Sequence, residues 1–351
     1  MMKDEIDIRH VARTLSLIEN RRAESLDILR RAYANARYIP VVGITGPPGA
    51  GKSSLLDQIA FYYAEKGERV AVLAIDPSSP YTGGAVLGDR FRMNRASAHP
   101  HVFVRSLSSR GQVGGLSGAL QDLVTVIAAL NFDRVIVETV GSGQSDIEVA
   151  RFADCIIVVS VPGLGDQIQA AKAGILEIGD LYVVNKCDLP GADTVAGHLA
   201  ANLSLVYPGK PGVNEPGPMR INLALHANAA VRQRHGNAAS DGSFWRPPVL
   251  RTSANDGAGV EALCVAVDAF LEWLRLTGRD AQRRTERFQS HILQLASGRL
   301  LAQLPPDDGS PRALPTLAQA VMQGGMTPDH ASELLLDSLF HAWQQRCDPI
   351  S

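Results

Sequence analysis

Gly46, Gly51, Lys52 and Ser53 stand at the spacing G-x-x-x-x-G-K-[ST], within the run Gly43-Ile-Thr-Gly-Pro-Pro-Gly-Ala-Gly-Lys-Ser-Ser54. Those residue types suit a polyphosphate. Residues without a β-carbon let the backbone approach closely and turn its N–H groups inward, and Gly46, Gly49 and Gly51 supply that freedom. Lys52 brings a point charge for the β- and γ-phosphates, Ser53 a hydroxyl for Mg²⁺, and the following helix its positive dipole end. Lys52 is expected to be exposed until phosphate covers it.

Three further clusters extend that chemistry. Asn185-Lys186-Cys187-Asp188 matches N-K-x-D, whose carboxylate accepts hydrogen bonds from N1 and N2 of guanine. Adenine offers neither donor, and hydrogen bonds to a charged group contribute roughly 1.5–3 kcal/mol each, so ATP is rejected. Thr252, Ser253 and Ala254 form a second strand-end pattern that cradles guanine. Glu138-Thr-Val-Gly141 holds an acid and a glycine at the spacing D-x-x-G, with Glu for Asp. Glu138 would act on Mg²⁺ through water and the Gly141 N–H would detect the γ-phosphate. Ser142 follows Gly141 where fast GTPases place a water-orienting Gln, which predicts slow intrinsic hydrolysis. Asp76 and Asp89 bound a glycine- and proline-rich stretch read as a switch loop. Their carboxylates either hold Mg²⁺ waters and orient the attacking water or cap turns and a helix.

The elements that must carry these residues are legible as well. Apolar runs at 40–45, 69–76, 102–104, 134–138, 155–159, 181–185 and 249–252 read as strands, several of them ending at the polar residues named above. Near-continuous apolar strands separated by helical patterns predict an α/β fold, a mostly parallel sheet with helices on both faces. Ligands of such sheets bind at the carboxyl ends of the strands, where Asp76, Glu138 and Asn185 fall. Leu55, Leu56, Ile59, Ala60 and Tyr63 repeat at helical spacing after the loop, and residues 6–37 carry two helices with a break near Glu19-Asn20.

Composition bounds the class. The chain has 351 residues, 45% hydrophobic, with 34 basic and 36 acidic residues for a net charge of −2. That is ample for a buried core, and no basic excess points to nucleic acid or a membrane surface as a partner. The N-terminus is acidic without an apolar signal core, so a cytoplasmic protein is expected. The 4 cysteines show no C-x-x-C spacing for zinc or a disulfide framework.

Taken together, the runs 43–53, 76–80, 82–85, 87–90, 138–145 and 161–166 resemble the MeaB/ArgK family of P-loop GTPases. The resemblance implies a homodimeric, GTP-hydrolysing chaperone of adenosylcobalamin-dependent acyl-CoA mutases such as methylmalonyl-CoA mutase. Such a chaperone gates cobalamin loading and protects or reactivates the mutase. It further implies phosphate binding on Gly46 through Ser54, Mg²⁺ or water positioning on Ser53, Asp76, Asp89 and Glu138, and guanine binding on Asn185, Lys186, Asp188 and Ser253 to Asn255. A third switch, sensing the mutase, is implied at Gly163, Gly165, Asp166 and Lys172. The expected organisation is an N-terminal helical segment over 1–38, a GTPase domain over 39–276 with a Pro/Gly-rich, exposed insertion at 207–247, and a C-terminal helical dimerisation arm over 277–351. Pro305, Pro306, Pro311 and Pro315 interrupt that arm. Two other readings share the phosphate loop: a nickel-insertion GTPase, which would show a His-rich or Cys-containing segment, and an ATP-dependent small-molecule kinase, which Asp188 opposes.

Overall fold

The structure, a computed structural model, describes residues 5–20, 22–76, 93–108, 115–139, 149, 152–163, 178–206, 235, 244–301 and 313–347. Residues 76, 108, 115–119, 205–206, 301 and 341–347 are described by backbone alone. Asp89, Gly141, Gly165, Asp166 and Lys172 lie outside the described residues, as does most of 207–247.

Seven strands form one parallel sheet: β1 Val41–Thr45, β2 Val70–Asp76, β3 Val102–Ser108, β4 Arg134–Thr139, β5 Cys155–Ser160, β6 Leu181–Val184 and β7 Val249–Arg251. Their order is β3-β2-β4-β1-β5-β6-β7. Every residue of β1, β4, β5 and β6 is buried, the physical meaning of their unbroken apolar runs. The chain runs from β1 outward past β4 to β2, and later crosses from β4 to β5 on the other side of β1. That reversal puts the end of β1 at the topological switch point, where open α/β sheets bind ligands.

Nine helices are described: α1 Ile8–Glu19, α2 Ser25–Asn35, α3 Lys52–Glu65, α4 Gly115–Ala129, α5 Ala192–Val206, α6 Val260–Leu276, α7 Arg279–Leu301, α8 Leu314–Met322 and α9 Pro328–Cys347. In α3 the five residues at helical spacing are all buried, against the sheet and α6. The Tyr63 hydroxyl donates to Asp268 Oδ1 at 3.0 Å and lies 3.1 Å from the Cys264 carbonyl. Burial at that contact pushes the Cys264 thiol up to about 12.

The N-terminal helices break where expected, and α1 buries Val11, Leu15 and Ile18. Arg105 of β3 holds α1, donating to Ala12 O at 3.0 Å, Ser16 Oγ at 3.0 Å and Glu19 Oε2 at 2.6 Å. Those bonds explain why β3 continues to Ser108 instead of stopping at Val104. Arg105 faces a polar partner remote in sequence rather than solvent.

At the amino end of the sheet two fully buried carboxylates cap strands. Asp154 Oδ2 accepts from Val41 N and Asp180 Oδ2 from Ile156 N, each at 2.8 Å. Arg287 of α7 pairs with Asp154, Arg283 lies 3.6 Å from Asp180 Oδ1, and His235 Nε2 lies 2.8 Å from the same oxygen. An ionised buried carboxylate needs such partners, since its desolvation costs several kcal/mol or more unpaired (about 3–5 kcal/mol on losing one partner). His235 belongs to the stretch expected to be exposed, yet it is fully buried, and Trp245 donates from Nε1 to Asp180 O at 2.9 Å.

The chain divides into two compact units, Met1–Arg110 with Ala119–Arg287, and Gly111–Gly118 with Phe288–Ser351. In the second, Pro315 sits in the first turn of α8, where its missing N–H costs nothing, so it starts a helix rather than breaking one. Ala313, Leu317 and Leu339 are buried there.

Candidate functional site

The phosphate loop joins β1 to α3 and depends on two glycines in particular. Gly46 has φ +146°, and a β-carbon on it would stand 2.2 Å from the Val159 carbonyl oxygen of β5. Gly51 caps α3 with φ +79°, and a β-carbon there would stand 2.6 Å from Asn185 Nδ2. No side chain fits either place.

Lys52 is 6% exposed. Its Nζ donates to Gly46 O at 2.8 Å and to Pro47 O at 3.1 Å, so the ammonium is folded onto its own loop instead of standing in solvent as expected. The carbonyls of a tight loop are concentrated acceptors, and a buried cation takes them.

Ser53 Oγ donates to Glu138 Oε1 at 2.6 Å, joining the start of α3 to the end of β4. A cavity of about 420 Å³ opens beside them, walled by Pro48, Gly49 and Gly51 to Ser54 on one side and by Ala74, Ile75, Glu138 and Thr139 on the other. Its size is that of a small-molecule pocket. Asp76 ends β2, the strand that carries Ala74 and Ile75.

The base motifs are tied to the same loop. Asn185, 1% exposed, donates from Nδ2 to Ala50 O at 2.9 Å. Its Oδ1 accepts from Thr252 Oγ1 and from Ala254 N, each at 3.2 Å. Lys186, at φ +56°, places Nζ 3.0 Å from Gly49 O. Both residues therefore brace the phosphate loop. Asp188 stands exposed in the turn beyond, with its flanks fixed by Cys187 N to Thr252 O and Leu189 N to Lys186 O, both at 3.0 Å. Ser253 is buried, Asn255 exposed, and Ser253 N donates to Ala258 O at 2.9 Å. Gly163 lies in an exposed turn with φ +85°, just beyond β5.

Gln58 was not legible as part of this arrangement. Gln58 had no signal, since its partner Ala254 is distant in sequence and offers a backbone carbonyl.

A family model described as Methylmalonyl Co-A mutase-associated GTPase MeaB matches residues 11–307. The chain belongs to the MeaB family. This MeaB-family chain is 39% identical over 292 residues to a relative from Pyrococcus abyssi (strain GE5 / Orsay), covering 83% of this chain and 81% of the relative. It is 34% identical over 281 residues to the GTPase ArgK of Escherichia coli (strain K12), covering 79% and 76%. A crystal structure named LAO/AO transport system kinase superposes with a TM-score of 0.61 at 23% identity, over 94% of this chain and 93% of that one, which shows the shared fold. The MeaB-family chain is thus a P-loop GTPase that binds guanine nucleotide. No helix among the described residues is long and apolar enough to cross a membrane.

Oxygen donors meeting at the edge of a phosphate loop suit a hard cation such as Mg²⁺. Glu138→Gln is expected to raise the Mg²⁺ concentration for half-maximal GTP hydrolysis by about tenfold or more, as metal-site substitutions do. A Mg²⁺ titration of phosphate release checks this.

Proposed function

We propose that this GTPase serves an adenosylcobalamin-dependent acyl-CoA mutase, gating cobalamin loading and protecting or reactivating the mutase. The family model's description names association with methylmalonyl-CoA mutase, and one feature of the structure supports a partner-driven switch. Gly46 abuts Val159 of β5, and Gly163 follows four residues later, so the end of β5 joins the phosphate loop to the start of the loop expected to sense the mutase.

In this reading the backbone of Gly46 to Ser54 wraps the phosphates, and Lys52 turns from Gly46 O and Pro47 O to the β- and γ-phosphates. Ser53 and Glu138 would hold Mg²⁺, with Asp76 and Asp89 as further carboxylates; when bound, that ion would neutralise charge developing on the phosphates. Asp188 reads N1 and N2 of guanine, while Ser253, Ala254 and Asn255 close over the base. Gly141 reports the γ-phosphate. Ser142 leaves water positioning incomplete, so the chain alone hydrolyses slowly and the mutase completes the step. A partner moves a switch only by binding its two states unequally, so GTP and GDP forms bind the mutase with different affinities.

Asp166→Ala and Lys172→Ala are expected to keep the basal hydrolysis rate and lose the stimulation given by the cognate mutase. Phosphate release with and without mutase measures both, and full stimulation in both variants removes residues 163–172 from the mechanism.

We further propose a cytoplasmic homodimer joined through its C-terminal helices. Ile292, Leu293 and Met322 are 63%, 67% and 87% exposed in the second unit, apolar surface that a second copy would cover. A chain ending after Arg287 retains the Arg283 and Arg287 anchors and is expected to be monomeric by light scattering. A dimer at that length sinks the assignment.

A further inference from the structure

Gln58 stands one and a half turns into α3, half-buried and outside the lining of the cavity beside the phosphate loop. Its Nε2 donates to the Ala254 carbonyl at 3.0 Å. Its Oε1 accepts from Arg95 Nη1 at 3.1 Å. Arginine only donates and a carbonyl only accepts, so these two partners fix which way the amide of Gln58 faces. The next bond along the base turn is that from Ala254 N to Asn185 Oδ1. The amide groups on both sides of Ala254 are therefore gripped, one by the N-K-x-D motif and one by α3.

The other partner is itself held. Asp57, 8% exposed, accepts from Ala96 N at 2.8 Å and Arg95 N at 3.3 Å, and the Arg95 guanidinium lies 4.2 Å from the centre of the Phe61 ring. A cation over a ring adds to that anchoring. Thus the residue pair Asp57 and Gln58 links the turn at 252–255 to the segment at 93–98 through a single helix that begins in the phosphate loop.

We propose that Gln58 is a positioning residue for guanine recognition, holding the Ala254 peptide at the height the base requires and keyed in place by Arg95. The proposal rests on the guanine-site assignment above. Gln58 does not line the cavity beside the phosphate loop, so its loss acts on the base end alone. GDP and GTP present the same base to this turn, and both must weaken by one factor.

The test compares the unaltered protein with Gln58→Glu and Gln58→Leu. Gln58→Glu keeps the shape and can still accept from Arg95, but it sets a carboxylate oxygen against the Ala254 carbonyl; Gln58→Leu removes both bonds. Fluorescent GDP and GTP analogues and competing inorganic triphosphate are titrated against each protein, and thermal stability is recorded alongside. Both variants are expected to weaken GDP and GTP equally, by about tenfold, with inorganic triphosphate binding and kcat at saturating GTP unchanged. Retained guanine affinity in Gln58→Glu overturns the proposal, as does a loss that extends equally to inorganic triphosphate, because that marks a general loosening of α3. Failure of the guanine site itself is seen separately: the unaltered protein would then bind GTP and ATP alike.

Discussion

Lys52→Ala is expected to lower GTP affinity by roughly a thousandfold and to remove measurable hydrolysis. Two charge-assisted contacts to the β- and γ-phosphates are lost, worth together about 4 kcal/mol. GDP, lacking the γ-phosphate, should lose less, which distinguishes a lost cation from a collapsed loop. The structure adds a second effect that the motif alone does not predict. Lys52 Nζ holds Gly46 O and Pro47 O before any phosphate arrives, so the variant should unfold about 1–2 kcal/mol more easily. Calorimetric titration with each nucleotide and urea unfolding of the free protein measure the two parts. Unchanged GTP affinity would refute the phosphate-loop assignment, and unchanged stability would show that those two bonds contribute nothing net.

Asp188→Asn is expected to weaken GTP by about a hundredfold and to turn the site toward xanthosine triphosphate, whose carbonyl at position 2 accepts from the new amide. Losing two hydrogen bonds to a charged group supplies that factor, at roughly 3 kcal/mol after partial replacement by the amide. The surroundings favour a clean result. Asp188 is exposed, and the backbone on either side is fixed through Cys187 and Leu189, so the change of side chain leaves the turn in place. Competition of GTP, xanthosine triphosphate and ATP against a fluorescent nucleotide reads the outcome, and an unaltered base preference discards Asp188 as the reader of guanine.

Much of this molecule could be read directly from residue order, for a physical reason. A parallel sheet buried on both faces demands unbroken apolar runs, and all seven strands were visible as such, from Val41–Thr45 at the centre to Val249–Arg251 at the edge. The loop and base motifs were visible because each needs particular atoms at particular spacing. What escaped detection depends on pairs remote in sequence. Arg105 extends β3 because α1 supplies Ala12 O and Glu19, and His235 is buried because Asp180 waits for it. Lys52 was misjudged for a related reason: its resting partners are carbonyls, and every residue has one. Gln58 was missed similarly, since nothing about a glutamine at that position announces Ala254.

The central position of β1 also bears on how the protein is made. Val41 pairs with Val135 and Val42 with Cys155, so the strand that carries the phosphate loop leaves the ribosome long before either neighbour exists. Distant pairings of this kind are slow, and a nascent chain must carry an apolar strand with both edges open while it waits. Asn185 and Thr252 come later still, and they help to lock the loop to the base turn. Nucleotide therefore has no complete seat on a partly synthesised chain. GTP or GDP present above its dissociation constant would selectively stabilise chains that have finished folding, making the nucleotide a checkpoint on biogenesis.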